Sequence, residues 1–319
     1  MQKKREKIEF RYYTMPEDSY VLPMLGEGWV QEYGKGMGRM LHFHNYMEIG
    51  YCSYGGGLLL IEEEEHRYGG GNFTVIPEKI PHTTISDPGG LCKWEFLFID
   101  VKGFLQNEFP NPKIPSEEMF RRVSQKAYFL EAAHAPEMAA IIRDILGECR
   151  EQKKYWKESI KGLLYELMIG VLRLDLEQES PTMEQKINSY VKEAMRYVEE
   201  HYAEDMHIRD LAGSVGLSES RFRRIFEDGI NMKPADYLNM VRIEKACEMI
   251  RQGSHSMEEI SYLSGFSTPS TFHRNFKRFT DMTPGEWGRR KGGRSFVMRS
   301  FAVSVEPGWE AEDLKKAES

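Results

Sequence analysis

Ile208-Arg209-Asp210-Leu211-Ala212, followed after three residues by Gly216-Leu217-Ser218, returns 49 residues later as Met257-Glu258-Glu259-Ile260-Ser261, with Gly265-Phe266-Ser267 after the same gap. Phe222-x3-Phe226 returns 50 residues later as Phe272-x3-Phe276, and Pro234-x2-Tyr237 as Pro284-x2-Trp287. The one-residue slip falls at the turn between the two halves of each unit. Each copy reads as a short helix, a glycine turn and a second, basic helix, so the chain carries two helix-turn-helix units. Such a pair implies sequence-specific contact with DNA.

In the first unit Ile208, Leu211, Ala212 and Val215 form the inner face of the leading helix, Gly216 fits the tight turn, and Ser218 is a natural N-cap for the next helix. Phe222 and Phe226, four apart, face the core together. The opposite face holds Ser220, Arg223, Arg224 and Glu227, with Arg221 at its flank. In the second unit Phe272, Phe276 and Phe279 make the inner stripe. Outward stand Ser270, His273, Arg274 and Lys277, with Arg278 flanking. A recognition helix needs this division: its apolar face anchors it while outward side chains near its N-terminus enter the major groove. Arginine pairs bidentately with guanine, and serine or threonine bonds several base edges. Ser220, Arg221 and Arg224, and Thr268, Ser270, Thr271 and Arg274, are therefore the expected base readers. Lys277 and Arg278, farther along, suit phosphate. A single such helix would read equally well as a solvated charged face; the duplicated context argues against that.

Residues 184–291 resemble the paired helix-turn-helix domain of AraC/XylS-type transcriptional regulators. The carrying residues are Leu211-Ala212, Ser218-x3-Phe222-x3-Phe226, Pro234-x2-Tyr237, Arg242-x3-Ala246, Ile260, Gly265-Phe266 and Phe272-x-Arg274-x-Phe276-Lys277-x5-Thr283-Pro284. The resemblance implies a helix joining the two units, here Pro234 to about Ile250, with proline suited to its first position. It also implies a double-stranded DNA operator, a homodimer, a small-molecule effector and RNA polymerase as a further partner. Two departures stand out: Asn231 and Asp281 occupy positions where the family usually has glycine. Both types tolerate a left-handed backbone better than most, so the helix ends should survive. Ser261 replaces the usual alanine, a small change.

The 319 residues, 40% hydrophobic and 29% charged, suit roughly two globular domains. The formal net charge of −7 divides into −6 over residues 1–183, +1 over 184–294 and −2 over 295–319. Charge alone would not point to DNA; basic residues must be gathered on one face. Cys52, Cys92, Cys149 and Cys247 lie far apart and read as reduced, buried thiols. The start shows no signal-peptide pattern, and no apolar run reaches the length of a membrane span, so a cytoplasmic location without membrane contact is expected.

Residues 20–101 are rich in glycine, aromatic and β-branched residues. Leu58–Ile61, Phe73–Ile76 and Trp94–Ile99 are the clearest strands, and the spacing predicts a small antiparallel barrel or jelly roll. Residues 104–116, with three prolines, read as a connector. Helices are expected over Glu117–Leu130, Pro136–Arg150 and Lys157–Glu177, with Glu179-Ser180-Pro181-Thr182 as the interdomain linker. Ile141, Ile145, Leu163, Leu167, Val171 and Leu174 recur at helical spacing, to pack against the barrel or to form a dimer interface. The expected organisation is a sensing β domain over 1–115, a helical packing and dimerisation segment over 116–180, the DNA-binding domain over 184–291 and a tail, 292–319, with no assigned role. The fold class is α+β.

His42-x-His44-x3-Glu48, with Gly36 before it and Gly55 after, and Gly71-x5-Pro77-x4-His82 resemble the two cupin motifs. Lys79 stands at the second motif's inner glycine and Ser86 at its final asparagine. A cupin-like barrel is the usual sensor of the AraC-type arrangement, so the two resemblances support each other. In metal-binding cupins three histidines and a glutamate hold the ion, and His42, His44, Glu48 and His82 fill all four positions. Alternate residues of a strand point the same way, so His42 and His44 can share the interior. Imidazole with carboxylate suits zinc, nickel, iron or manganese. Two readings stand side by side: a divalent-metal site, and a metal-free effector pocket in which these residues are polar contacts beside Trp94 and Phe96, with Phe98, Phe43, Tyr46 and Tyr51 also available. No cofactor is required by the second. The leading function is a DNA-binding regulator controlled by a small effector, a carbohydrate being the first class to consider. The alternative is a metal-dependent cupin oxygenase or isomerase fused to a DNA-binding module.

Overall fold

Short runs of β-branched and aromatic residues between glycine turns build the N-terminal strands. The computed structural model describes residues 9–16, 18–35, 40–62, 64–108, 115–176, 183–230, 232–289 and 296–298. In chain order the strands are β1 (Glu9–Tyr12), β2 (Val21–Met24), β3 (Val30–Gln31), β4 (His42–His44), β5 (Met47–Tyr54), β6 (Gly56–Ile61), β7 (Glu64–Gly69), β8 (Asn72–Ile76), β9 (His82–Ser86) and β10 (Cys92–Ile99), with a 3-10 turn at Glu27–Trp29. Helices α1 (Val101–Glu108) and α2 (Ser116–Val123), strand β11 (Tyr128–Glu131), and helices α3 (Pro136–Glu151) and α4 (Trp156–Leu176) follow. The C-terminal half holds α5 (Met183–His201), α6 (Ile208–Ser214), α7 (Glu219–Ile230), α8 (Pro234–Gln252), α9 (Met257–Leu263), α10 (Pro269–Thr280) and α11 (Pro284–Arg289), before strand β12 (Phe296–Met298).

The strands form two facing sheets, one ordered β12-β1-β4-β9-β6-β7 and the other β11-β8-β5-β10-β2, with β3 beside β10. The pairing is antiparallel except between β1 and β4, which run parallel with Glu9 opposite His42 and Arg11 opposite His44. Three apolar cores result. Trp94, Phe96, Phe98, Tyr13, Leu59 and Tyr68 fill the space between the sheets. Ile49, Phe73, Val75 and Leu97 pack against Ile142, Ile145, Leu164 and Leu167 of α3 and α4. The third core belongs to the C-terminal helical half, yet it also takes in Phe10, Tyr12 and Phe43 of the barrel. Alternation explains this: in β4 the histidines turn inward while Phe43, between them, turns out onto the helical domain.

Several expectations need correcting. Residues 104–108 of the supposed connector belong to α1, whose Phe104 and Leu105 are buried. The helix expected over Glu117–Leu130 stops at Val123, because Tyr128–Glu131 pairs with the open edge of β8 and β pairing overrides the local apolar period. The sheet thereby draws a strand from the segment assigned to helical packing. Of the tail, β12 pairs antiparallel with β1. Gly36, Asn231 and the linker residues 179–182 lie outside the described residues. The four cysteines are free and buried. Among the described residues no helix is long and apolar enough to cross a membrane.

Candidate functional site

The two helix-turn-helix units form as the repeat predicts. Gly216 and Gly265 hold φ of 69° and 87° at the two turns. At Gly265 a side chain would also meet the Tyr202 carbonyl oxygen at 2.4 Å, so this turn admits glycine alone. The α9 start carries a reciprocal capping box: Ser256 Oγ accepts from the Glu259 amide at 3.2 Å and Glu259 accepts from the Ser256 amide at 2.8 Å. Asp281 ends α10 at φ 57°, left-handed as expected for a residue replacing glycine. Arg242 of α8 donates to the carbonyls of Tyr202 and Glu204 at 2.7 and 2.8 Å and lies over the Phe266 ring, which ties the linker helix to both units.

Phe222 and Phe226, and Phe272, Phe276 and Phe279, are buried as anchors. Ser220, Arg221 and Arg224 on α7, and Ser270, His273, Arg274, Lys277 and Arg278 on α10, are exposed. Arg223 is half-buried and paired with Glu219 at 2.6 Å. Arg278 meets Asp236 of α8 at 2.9 Å and lies over Phe279. Thr268 and Thr271 serve the helix itself: Thr268 Oγ1 accepts from the Thr271 amide at 3.2 Å and donates to Thr271 Oγ1 at 3.0 Å. Their hydroxyls are engaged in capping before any base arrives.

In the barrel, His42, His44, Glu48 and His82 come together with ligand atoms all within 4.8 Å of one another, and all four are buried. β4 carries the first two, β5 begins just before Glu48, and β9 opens on His82, directly opposite His42. His44 Nδ1 donates to the Tyr46 carbonyl at 2.7 Å, and His82 Nδ1 donates to the Ile80 carbonyl at 2.8 Å. With those protons fixed, each neutral ring turns its Nε2 lone pair inward. The two Nε2 atoms stand 3.4 Å apart, and Glu48 Oε2 lies 3.1 Å from one and 3.5 Å from the other. Three acceptors thus converge on one point, an arrangement that calls for a shared proton or a cation. Burial pushes the His44 imidazole below its ordinary range and that of His42 well below it, which favours the neutral ligand form. Burial alone would raise the Glu48 carboxyl, but a proton carried by His82 or His44 toward it holds it well below the usual carboxylate range, the part that a cation would take over. His42 Nδ1 is buried with no hydrogen-bond partner. Arg11 sits nearby, its charge offset by Glu9 at 3.0 Å. The donor set and the orphaned nitrogen fit a divalent transition metal.

The aromatic residues assigned to an effector pocket divide. Trp94 and Phe96 lie inside the barrel, where they stack on each other at 5.9 Å, while Tyr68 meets Trp94 edge-on at 5.0 Å. Ring faces used in this way are core packing and are not open to a sugar. Phe43 faces the DNA-binding half, and Tyr51 packs toward the α3 and α4 side. One buried ion pair escaped the sequence reading: Lys79 is buried at the domain seam and pairs with Glu199 of α5. Its place at a cupin glycine was the available signal, though nothing in the sequence named its partner.

Two family models match the chain. Residues 33–168 match the AraC-like ligand binding domain, and residues 211–290 match a helix-turn-helix domain. Uncharacterized HTH-type transcriptional regulators of Staphylococcus aureus are 32% identical over 97 residues, which is 30% of this chain and only 13% of their own length. The HTH-type transcriptional activator RhaS of Klebsiella pneumoniae is 21% identical over 243 residues, spanning 76% of this chain and 85% of that protein. ToxT of Vibrio cholerae with a bound unsaturated fatty acid aligns over 89% of this chain and 96% of its own at 15% identity, with a TM-score of 0.40. The chain thus pairs a ligand-binding domain with a helix-turn-helix DNA-binding domain, the make-up of a transcription regulator. More particularly, these are an AraC-like ligand binding domain and an AraC-type helix-turn-helix domain, in the order and over the span in which the chain is similar to RhaS.

Proposed function

We propose that this regulator reads a double-stranded operator with α7 and α10, and that the signal it senses is a divalent transition metal held by His42, His44, Glu48 and His82. Ser220, Arg221 and Arg224 of α7, and Ser270, Arg274 and Lys277 of α10, make the DNA contacts, with Arg223, His273 and Arg278 at their edges. The two helices enter successive major grooves about 34 Å apart, and a homodimer presents four such helices to one operator. When bound, the metal supplies the positive charge that the converging nitrogens and carboxylate lack.

The observation that carries the metal reading is the pair of inward Nε2 lone pairs 3.4 Å apart, each ring fixed by a backbone carbonyl. The burial of Trp94 and Phe96 in the barrel core favours an ion over a carbohydrate as the occupant. Metal content per chain in tag-free protein, beside a His44→Ala, His82→Ala double variant, tests it. Near-stoichiometric zinc, nickel, iron or manganese that vanishes in the variant is expected. No metal in the wild type, even after reconstitution, overturns the reading and leaves a metal-free effector pocket.

A further inference from the structure

Lys79 combines three features that seldom occur together in one residue. It is 6% exposed, it holds a left-handed backbone at φ 64°, and its ammonium pairs with a residue 120 positions away in the other half of the chain. A lysine almost never goes under cover unless paired, and a left-handed backbone costs it more than it would cost the glycine this position otherwise resembles. Strain and burial in one residue persist only where the surroundings impose them, and such places gather at functional and switching sites.

The surroundings connect both ends of this residue. On the barrel side, the Lys79 amide donates to the backbone carbonyl of His44 at 2.9 Å. The next residue, Ile80, offers its carbonyl to the His82 ring at 2.8 Å. Two members of the buried cluster are therefore each one hydrogen bond from the loop that carries Lys79. On the other side Glu199 of α5 receives the ammonium, and the same carboxylate oxygen accepts from the Tyr237 hydroxyl of α8 at 3.3 Å. α5 packs on α6 and α7, and α8 joins the two units, so Glu199 and Tyr237 sit at the root of the DNA-reading half. Glu244 of α8 is also buried beside this group, with its Oε2 lacking a partner. The seam thus sets the buried Lys79 ammonium against the half-buried Glu199 and near the buried Glu244, which Lys245 of α8 also faces.

We propose that Lys79 is a positioning residue through which the state of the His42, His44, Glu48 and His82 cluster sets how the DNA-binding half is held against the barrel. The proposal rests on the metal reading above and adds the route by which that site is heard. Any rearrangement of His44 or His82 moves the 77–82 loop, and with it the ammonium that holds α5. A ligand shifts such an equilibrium only by its different affinity for the two arrangements, so the linkage must be visible from both sides.

The test uses the full chain and a labelled duplex enriched by the wild-type protein from a randomised pool. Duplex affinity is measured for protein loaded with zinc or manganese and for protein stripped by chelator, in wild type, Lys79→Met, Lys79→Arg and Glu199→Gln. Metal content and melting temperature are recorded for each. The wild type is expected to change affinity about fivefold or more between the two states, a normal size for coupling between sites. Lys79→Met and Glu199→Gln keep their metal but lose most of that change, and Lys79→Arg retains a substantial part of it. Glu199→Gln keeps the test informative if Lys79→Met fails to fold. Variants that bind metal normally and keep the full change overturn this proposal and leave the metal site standing. A wild type that binds metal without any change in affinity does the same. A wild type that takes up no metal overturns both.

Discussion

The second helices of the two helix-turn-helix units, α7 and α10, share a scaffold and differ in charge. α7 carries Arg221, Arg223 and Arg224 but also Glu219, Glu227 and Asp228, so it is neutral; α10 carries Arg274, Lys277 and Arg278 and no acidic residue. In α7 the Glu219 carboxylate already takes Arg223, whereas α10 starts on a threonine cap and a proline and leaves its outward residues exposed. Duplication has kept the apolar stripe and let the polar face diverge. On the proposed function both units read bases, and the difference in charge leads us to expect that the second supplies the larger share of the attraction to phosphate.

The comparison breaks most visibly in the core. Phe226→Ala and Phe276→Ala each remove a fully buried ring, and each should cost about 3–5 kcal/mol in chemical denaturation. Both rings belong to one apolar cluster around α8, so the two losses should be similar. A loss confined to one variant would show that the units fold independently. Next come the base readers. Arg274→Ala and Arg224→Ala should each weaken operator binding by about 1–3 kcal/mol and relax specificity at their own positions. Lys277→Ala should weaken binding to all sequences alike and lower the salt slope by about one. An equal salt effect from an α7 arginine would erase the proposed division.

Charge can be restored to the first unit. Glu219→Gln releases Arg223 from its 2.6 Å partner, and α7 should then bind DNA of any sequence more tightly, with a steeper salt dependence, in titrations at several ionic strengths. The same change in a Lys277→Ala background should recover part of the lost slope. The smallest effect belongs to the caps. Thr268→Ala should lower stability by about 1 kcal/mol, with Thr268→Ser near wild type, and melting curves distinguish this from a lost base contact. If Thr268→Ala instead leaves stability intact and lowers affinity, the threonine reads DNA after all.

Much of this was legible because repetition exposes it. The offset of about fifty residues located both units, and Asp281 takes the left-handed backbone that its place before Pro284 implies. The cupin spacing brought together His42, His44, Glu48 and His82, residues up to 40 apart. The failures have physical causes. Tyr128–Glu131 has an apolar period that suits a helix, but an unpaired edge of β8 claims it. Phe43 was set among the pocket residues although the alternation that turns His42 and His44 inward must turn it outward. Thr268 and Thr271 were read by their chemistry as base contacts, and the capping role that their spacing gives them went unread. The Lys79–Glu199 pair spans 120 residues, and no local pattern announces contacts of that range.

Strand β4 is three residues long and shows its two sides to different neighbours, histidines to the barrel and Phe43 to the DNA-binding half. Most strands in a surface sheet have a tolerant side, where drift is harmless. This one has none. Inserting or deleting one residue just ahead of His42 would exchange the sides at a stroke, pressing imidazoles into an oily joint and a phenyl ring among the liganding atoms. Over evolutionary time this segment is therefore open to substitution and closed to changes of length. Gains and losses of residues among related chains should fall in the connections on either side and spare these three positions.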